Sequence, residues 1–175
     1  MLKAFSLILM TTCTIWLTSA YSEELQFEKY TNKDGCYSVD FPKSWSIIPD
    51  EDDVSAVSPA ENEQDKAFES VEIWVETLDE PRGLDEYFPL SLENLKKHYT
   101  KFEVVGEGSE LLDKVPSRWF RAKITRGNVQ GEVLQYQMII DQRVYIINFT
   151  ADPSAYSRFE TIFNRITSSF RFTCD

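Results

Sequence analysis

Histidine is almost missing from this sequence: His98 is the single one, and cysteine is limited to Cys13, Cys36 and Cys174. That scarcity excludes zinc sites of the Cys/His type, which need these residues in closely spaced pairs. It also leaves any nucleophile with one histidine to act as its base. No phosphate-binding glycine loop and no nucleophile elbow of the Gly-x-Ser-x-Gly form occurs. Positive charge is short as well, with 18 Lys and Arg against 29 Asp and Glu, so the net charge is −11. Nucleic acids and anionic membrane surfaces attract clusters of Lys and Arg, and this balance argues against both. Long apolar runs are confined to residues 4–17, a stretch of 14 residues. A helix that spans a bilayer needs roughly 20, so the mature chain is expected to have no transmembrane anchor.

What the first 22 residues do contain is the layout of a secretory signal peptide: Lys3, the apolar run, then the small residues Thr18, Ser19 and Ala20. Cleavage after Ala20 or after Ser22 satisfies the small-residue requirement. Met10-Thr11-Thr12 before Cys13 matches poorly the pattern that lipid attachment requires. Removing residues 1–22 leaves 17 basic against 29 acidic residues, a charge of −12, which favours a cationic partner. Residues 23–175 then form one domain, exported to a periplasmic or extracellular space. At about 150 residues it is long enough to bury roughly 68–70% of its unfolded surface. Cys36 and Cys174 remain, and in an oxidising compartment they are expected to form a disulfide rather than stand as two unrelated thiols.

Periodicity sets the elements. Residues 133–151 read VLQYQMIIDQRVYIINFTA, two apolar runs that meet at Asp141-Gln142. With those two residues as the turn, Met138 faces Tyr145, Tyr136 faces Ile147 and Leu134 faces Phe149. A three-residue loop would set apolar against polar residues, so the period of two selects the tight turn. The opposite face carries Gln135, Gln137, Asn148 and Thr150 and is expected to be half covered. Alternation places Tyr37, Val39 and Phe41 on one face of a strand, and a short strand is expected over 45–48. In the strand over 70–78, Val71, Ile73 and Val75 oppose Glu72, Trp74 and Glu76. Another strand, over 117–125, turns Phe120, Ala122 and Ile124 inward and Trp119 to the reverse face. A strand over 102–112 is interrupted by Gly106 and Gly108, and Val115-Pro116 reads as a turn or edge.

Two helices complete the pattern. In the first, over 84–99, Leu84, Phe88, Leu92, Leu95 and Tyr99 recur at spacings of three and four, and Pro89 is tolerable only near the first turn. The second starts with Asp152 as N-cap and Pro153 as first helical residue, and carries Tyr156, Phe159, Phe163, Ile166 and Phe170 as a core stripe. Residues 50–69 differ, with eight acids against one lysine, and read as a solvated loop holding at most a short strand over 54–57. Asp50, Asp52 and Glu61 stand at the first, third and twelfth places of a calcium loop. Val54 and Ser55, however, occupy places that need an oxygen ligand and a glycine.

In chain order, the segments YSVDFPKSW, LDEYFPLSLENLKKHY, VPSRWFRAKI, QYQMIIDQRVYIINFTA and SRFETIFNRITSSFRF resemble the PsbP-like domains, named for an extrinsic protein of photosystem II. The resemblance covers most of residues 25–173. It implies an α+β fold, an α/β/α sandwich with a central antiparallel sheet of about six strands flanked by helices. It also implies a protein that acts by binding, and it carries no site residue over. The leading expectation is an exported, non-enzymatic module for an unknown protein partner, itself a monomer. No residue receives a catalytic, cofactor-binding or metal-ligating role. A possible binding face is the sheet side expected to bear Trp74 and Trp119, since large aromatics favour interfaces. One alternative is a calcium- or cation-responsive structural protein that uses the acidic 50–69 stretch. The other is a hydrolase built on Cys36 and His98, although His98 follows Lys96 and Lys97 at a helix end with no acid or nucleophile spaced to orient it.

Overall fold

The computed structural model describes residues 25–60, 62 and 69–174, so the signal segment and Glu61 lie outside the described residues. In chain order the elements are β1 (Phe27–Asn32), β2 (Tyr37–Pro42), β3 (Ser46–Asp50), β4 (Asp53–Val57), β5 (Ser70–Thr77), α1 (Leu84–Lys96), β6 (Lys101–Leu112), β7 (Val115–Arg126), β8 (Val129–Ile140), β9 (Arg143–Ala151), α2 (Tyr156–Ser169) and β10 (Arg171–Phe172). The central hairpin forms in the register that apolar pairing selects: Met138 opposite Tyr145, Tyr136 opposite Ile147 and Leu134 opposite Phe149. Asp141 and Gln142 both take positive φ, at 49° and 67°. That is the backbone of a tight primed turn, adopted here without the usual glycine.

Around this hairpin the strands line up as β3-β4-β5-β9-β8-β7-β6, and every neighbouring pair is antiparallel. The main sheet therefore has seven strands, not about six. A separate three-stranded sheet, β1-β2-β10, accompanies it, so the fold is richer in strand than the sandwich expectation allowed. The excess has two sources. Residues 50–57, read mainly as loop, turn at Glu51-Asp52 into the β3–β4 hairpin. Pro116 does not mark a turn but sits inside β7 opposite Leu111, while the chain reverses at Asp113-Lys114 with φ of 47° and 70°.

Both faces of the main sheet are covered. On one, α1 places Phe88 and Leu92 against Phe120, Ala122 and Val133. On the other, α2 and the small sheet build the larger core, in which Phe163 packs 4.7 Å from Phe149 and Phe170 stacks on Tyr37 at 5.6 Å between ring centroids. Helix α1 begins at Leu84, runs regularly through Pro89 and ends at Lys96, three residues before the Tyr99 expected from the spacing. Helix α2 begins at Tyr156, later than a cap at Asp152 implies. Asp152 instead holds the preceding turn, its carboxylate accepting from the Ser154 N–H at 2.8 Å and its carbonyl from the Ala155 and Tyr156 N–H groups. The Ser154 hydroxyl and then the Ser154 N–H, both donating to the carboxylate, lower the Asp152 pKa. Among the described residues no helix is long and apolar enough to cross a membrane.

Candidate functional site

Helix α1 packs on β7 and β8, and beside it the same face of β5 is partly open, with Trp74 half-buried, whereas Val144 and Ile146 of β9 are buried. A cleft of about 310 Å³ lies there, with Trp74, Glu76 and Ile146 as its sheet wall, Tyr87 and Asn94 on α1 and His98 in the turn that follows the helix. The spacing of those helix residues, together with Leu90, Ser91 and Leu95, places one stripe of α1 along the cleft. Ile146 is buried against the sheet, whereas Trp74 and Tyr87 are half-buried and Glu76 is exposed. The Tyr87 hydroxyl donates to the Glu76 carboxylate across the cleft. Burial, and then this bond to an acid, push the Tyr87 pKa well above its ordinary value, so the phenol stays protonated and donates.

Under the cleft runs a chain of polar side chains. The Gln137 amide donates to Ser91 Oγ at 3.0 Å and to Gln135 Oε1 at 2.7 Å, the Gln135 amide donates to Asn148, and Asn148 donates to Thr150. Gln137 is fully buried and its Oε1 has no partner. This row is the polar side of the central hairpin; expected to be half covered, it is buried at Gln135 and Gln137 and partly open only at Asn148 and Thr150. A larger groove of about 740 Å³ lies between the β6–β7 tip and α2. Its principal charges are already engaged: Asp113 accepts from the Phe172 N–H at 2.9 Å and lies 3.9 Å from Arg171, an arrangement that anchors β10.

Trp74 and Trp119 do not share a face. Trp74 stands opposite Ile146, on the α1 side, whereas Trp119 stands opposite Tyr136 and so joins Ile147 and Ile73 on the α2 side. There Trp119 packs against the larger core, and a Cβ at Gly108 would meet its ring at 2.8 Å. The expected common binding surface is therefore divided, and Trp74 alone lines the cleft. Cys36 and Cys174 are joined by a disulfide. Cys36 has no thiol to activate and sits at the small sheet, on the far side of the main sheet from His98, so these residues form no catalytic pair.

The acidic hairpin is also spoken for. Asp53 accepts from the Val75 N–H at 3.0 Å, Asp52 lies 3.4 Å from Arg143, and the Glu51 carbonyl accepts from the Asn32 amide. Among the described residues no group of three or more acids, histidines or cysteines could hold a metal ion. Calcium titration is accordingly expected to leave the melting temperature unchanged; a rise with calcium concentration would reveal a native-state ion site.

No family model and no curated protein matches the sequence. Solved structures do. A cyanobacterial PsbP from Synechocystis sp. PCC 6803 aligns over 93% of this chain and 98% of its own, at 10% identity and a TM-score of 0.59. The fold is that of PsbP. The Saccharomyces cerevisiae Ran-binding protein Mog1p shares it at 10% identity over 85% of this chain and 96% of its own, with a TM-score of 0.63. So does Mycobacterium tuberculosis LpqN, involved in cell envelope biogenesis, at 14% identity over 86% and 92%, with a TM-score of 0.60. The PsbP fold thus agrees with the resemblance seen in the sequence. At such identities the likeness is one of fold.

The sequence already displayed Glu72, Trp74 and Glu76 on one side of a strand. The contribution of α1 was hidden, because its periodicity reads first as the buried stripe of Phe88 and Leu92. The second stripe, with Tyr87, Ser91 and Asn94, is defined only by the sheet beneath it.

Proposed function

We propose that the protein is an exported, non-enzymatic accessory module that binds a protein partner in the cell envelope, acting as a monomer. The α1 cleft is the observation that carries this reading: a half-buried tryptophan and a half-buried tyrosine line an opening between α1 and β5. Aromatic side chains in such positions serve as anchors in interfaces. The disulfide supports export, because such bonds persist in oxidising compartments. The fold supports a binding role, being shared with a Ran-binding protein and with a protein of envelope biogenesis.

Cross-linking and affinity capture of the tagged protein from its own envelope fraction, at low and at high salt, tests the reading. A specific partner released as salt rises is expected of an acidic module. Absence of a partner at either salt would overturn the proposal. Trp74→Ala is expected to weaken capture while leaving thermal stability close to that of the parent. Trp119→Ala is expected to lower stability by about 1–3 kcal/mol, less than the roughly 3–5 kcal/mol typical of a fully buried ring.

A further inference from the structure

We infer that the α1 cleft receives a lysine or arginine side chain from a basic segment of the partner protein, held between Trp74 and Tyr87 and neutralised by Glu72 and Glu76. The inference rests on the binding-module reading and names the partner's chemistry at that site.

Three observations converge on a cation. First, alternation on β5 sets Glu72 and Glu76 on either side of Trp74 on one face, with the two carboxylates' backbone positions about 13 Å apart. Both acids are exposed, and among the described residues neither forms an ion pair, although Asp52, Asp85, Glu86, Glu93 and Glu132 each do. Glu76 is held in place by the Tyr87 hydroxyl, which occupies one of its two acceptor oxygens. Second, this protein uses aromatic faces to hold cations. Arg121 lies 3.9 Å over Tyr156, Arg165 3.9 Å over Phe27, Arg118 4.6 Å over Phe88 and Arg143 5.7 Å over Tyr145. Among the described residues no such cation lies over Trp74 or Tyr87, and tryptophan is the strongest ring for that contact. Third, Arg82, the arginine that lines the cleft, is turned to Glu86, its Nε 3.2 Å from the carboxylate. It pairs with that acid rather than with Glu72 or Glu76.

An acidic strand flanking an aromatic ring thus faces the stripe of α1 that carries Tyr87. The apolar neighbours Leu90, Leu95 and Ile146 suit the methylene stem of a long basic side chain, whose charged head reaches the carboxylates. A single cation–π contact of this kind contributes about 0.5–2 kcal/mol, more as it is desolvated, and the paired carboxylates add a salt-dependent share.

The test uses the purified exported protein and synthetic, end-blocked (Lys-Gly)5, (Arg-Gly)5 and (Glu-Gly)5 peptides, followed by calorimetry and amide chemical-shift mapping at low and high salt. The basic peptides are expected to bind, the acidic one not, and the shifts to concentrate on β5 and α1. Glu72→Gln with Glu76→Gln is expected to weaken binding about tenfold, and Trp74→Ala several-fold. Glu28→Gln with Glu107→Gln, which removes as much charge from exposed positions elsewhere, is expected to change it less than about twofold. Equal weakening by both charge pairs would overturn the inference in favour of diffuse attraction, as would shifts centred outside the cleft. Tetramethylammonium binding as tightly as the peptides would overturn it in favour of a small cation. Protein concentration-dependent sedimentation that Trp74→Ala abolishes would overturn it in favour of a second copy of this chain. The glutamine variants are conservative and exposed, so a folding failure of Trp74→Ala leaves the test intact. Envelope capture that persists in the double glutamine variant would keep the binding-module reading and remove the cleft from it. Peptide binding at the cleft without any envelope partner would do the reverse.

Discussion

Reduction of the Cys36–Cys174 bond, or its removal by Cys36→Ser with Cys174→Ser, is expected to lower the unfolding free energy by up to about 5 kcal/mol. The bond closes a loop with a sequence separation of 138, and the chain-entropy relation assigns about 5 kcal/mol to a loop of that length. Loss of native disulfides typically costs about 2–5 kcal/mol, so this one belongs at the upper end. The native contacts around it do not depend on the bond. The Thr173 N–H donates to the Cys36 carbonyl at 2.9 Å, and Phe172 packs 4.9 Å from Tyr145 and 5.1 Å from Phe170. The effect is therefore expected to act through the unfolded chain, which becomes free to expand. Urea unfolding with and without reductant distinguishes the two routes. An unfolded-state effect lowers the midpoint and steepens the denaturant dependence, because more surface is exposed on unfolding. A lower midpoint at unchanged slope would place the contribution in native contacts of the C-terminal segment instead.

How far the sequence discloses this fold depends on how many neighbours constrain each strand. The β8–β9 register is legible because both strands and their turn are adjacent in sequence, and slipping by one residue would reverse every apolar side chain. The faces of β5 and β7 are not legible in the same way. Each shows a clear apolar side, Val71 and Ile73 on one and Phe120 and Ala122 on the other, and each side reads as inward. Yet the sheet is covered on both faces: Val71 and Ile73 belong to the core under α2, Phe120 and Ala122 to the core under α1. "Inward" therefore names opposite directions in the two strands, and Trp74 and Trp119, both on the reverse side, end up on opposite faces. What fixes the relation is the strand order β5-β9-β8-β7, which is not the sequence order and leaves no local mark.

The same two-sided covering explains why the candidate site was half visible. Trp74 and its flanking acids follow from alternation alone. The strip they occupy is partly open because α1 is laid over β7 and β8, a placement set by the packing of Phe88 and Leu92 on Phe120. The disulfide needed no such tertiary knowledge. Compartment and cysteine count sufficed, and the structure joins Cys36 to Cys174.

Phe149→Ala is expected to cost about 3–5 kcal/mol, the range for a large ring deleted from a core. Phe149 is fully buried in β9, opposite Val71 on β5 and Leu134 on β8, so three strands meet at its ring. Phe163 of α2 lies 4.7 Å away and Tyr136 6.4 Å, which makes this ring the main link between the sheet and that helix. Truncation leaves a cavity whose walls belong to two layers, and a close-packed sheet cannot collapse to fill it. Phe149→Leu keeps most of the volume and is expected to cost well under half as much. Denaturant unfolding of both variants measures the difference. The disulfide acts on the unfolded chain and Phe149 on the native core, so their effects are expected to add. Together they approach the whole stability of a domain this size, roughly 5–15 kcal/mol. The reduced Phe149→Ala protein is then expected to be largely unfolded at 37 °C, while either change alone leaves it folded. A reduced Phe149→Ala protein that still unfolds cooperatively near the parental midpoint would mean that the α1-side core, with Phe88, Leu92 and Phe120, holds the sheet by itself. In that event the cleft beside α1 would remain formed, and the basic peptide would still bind there.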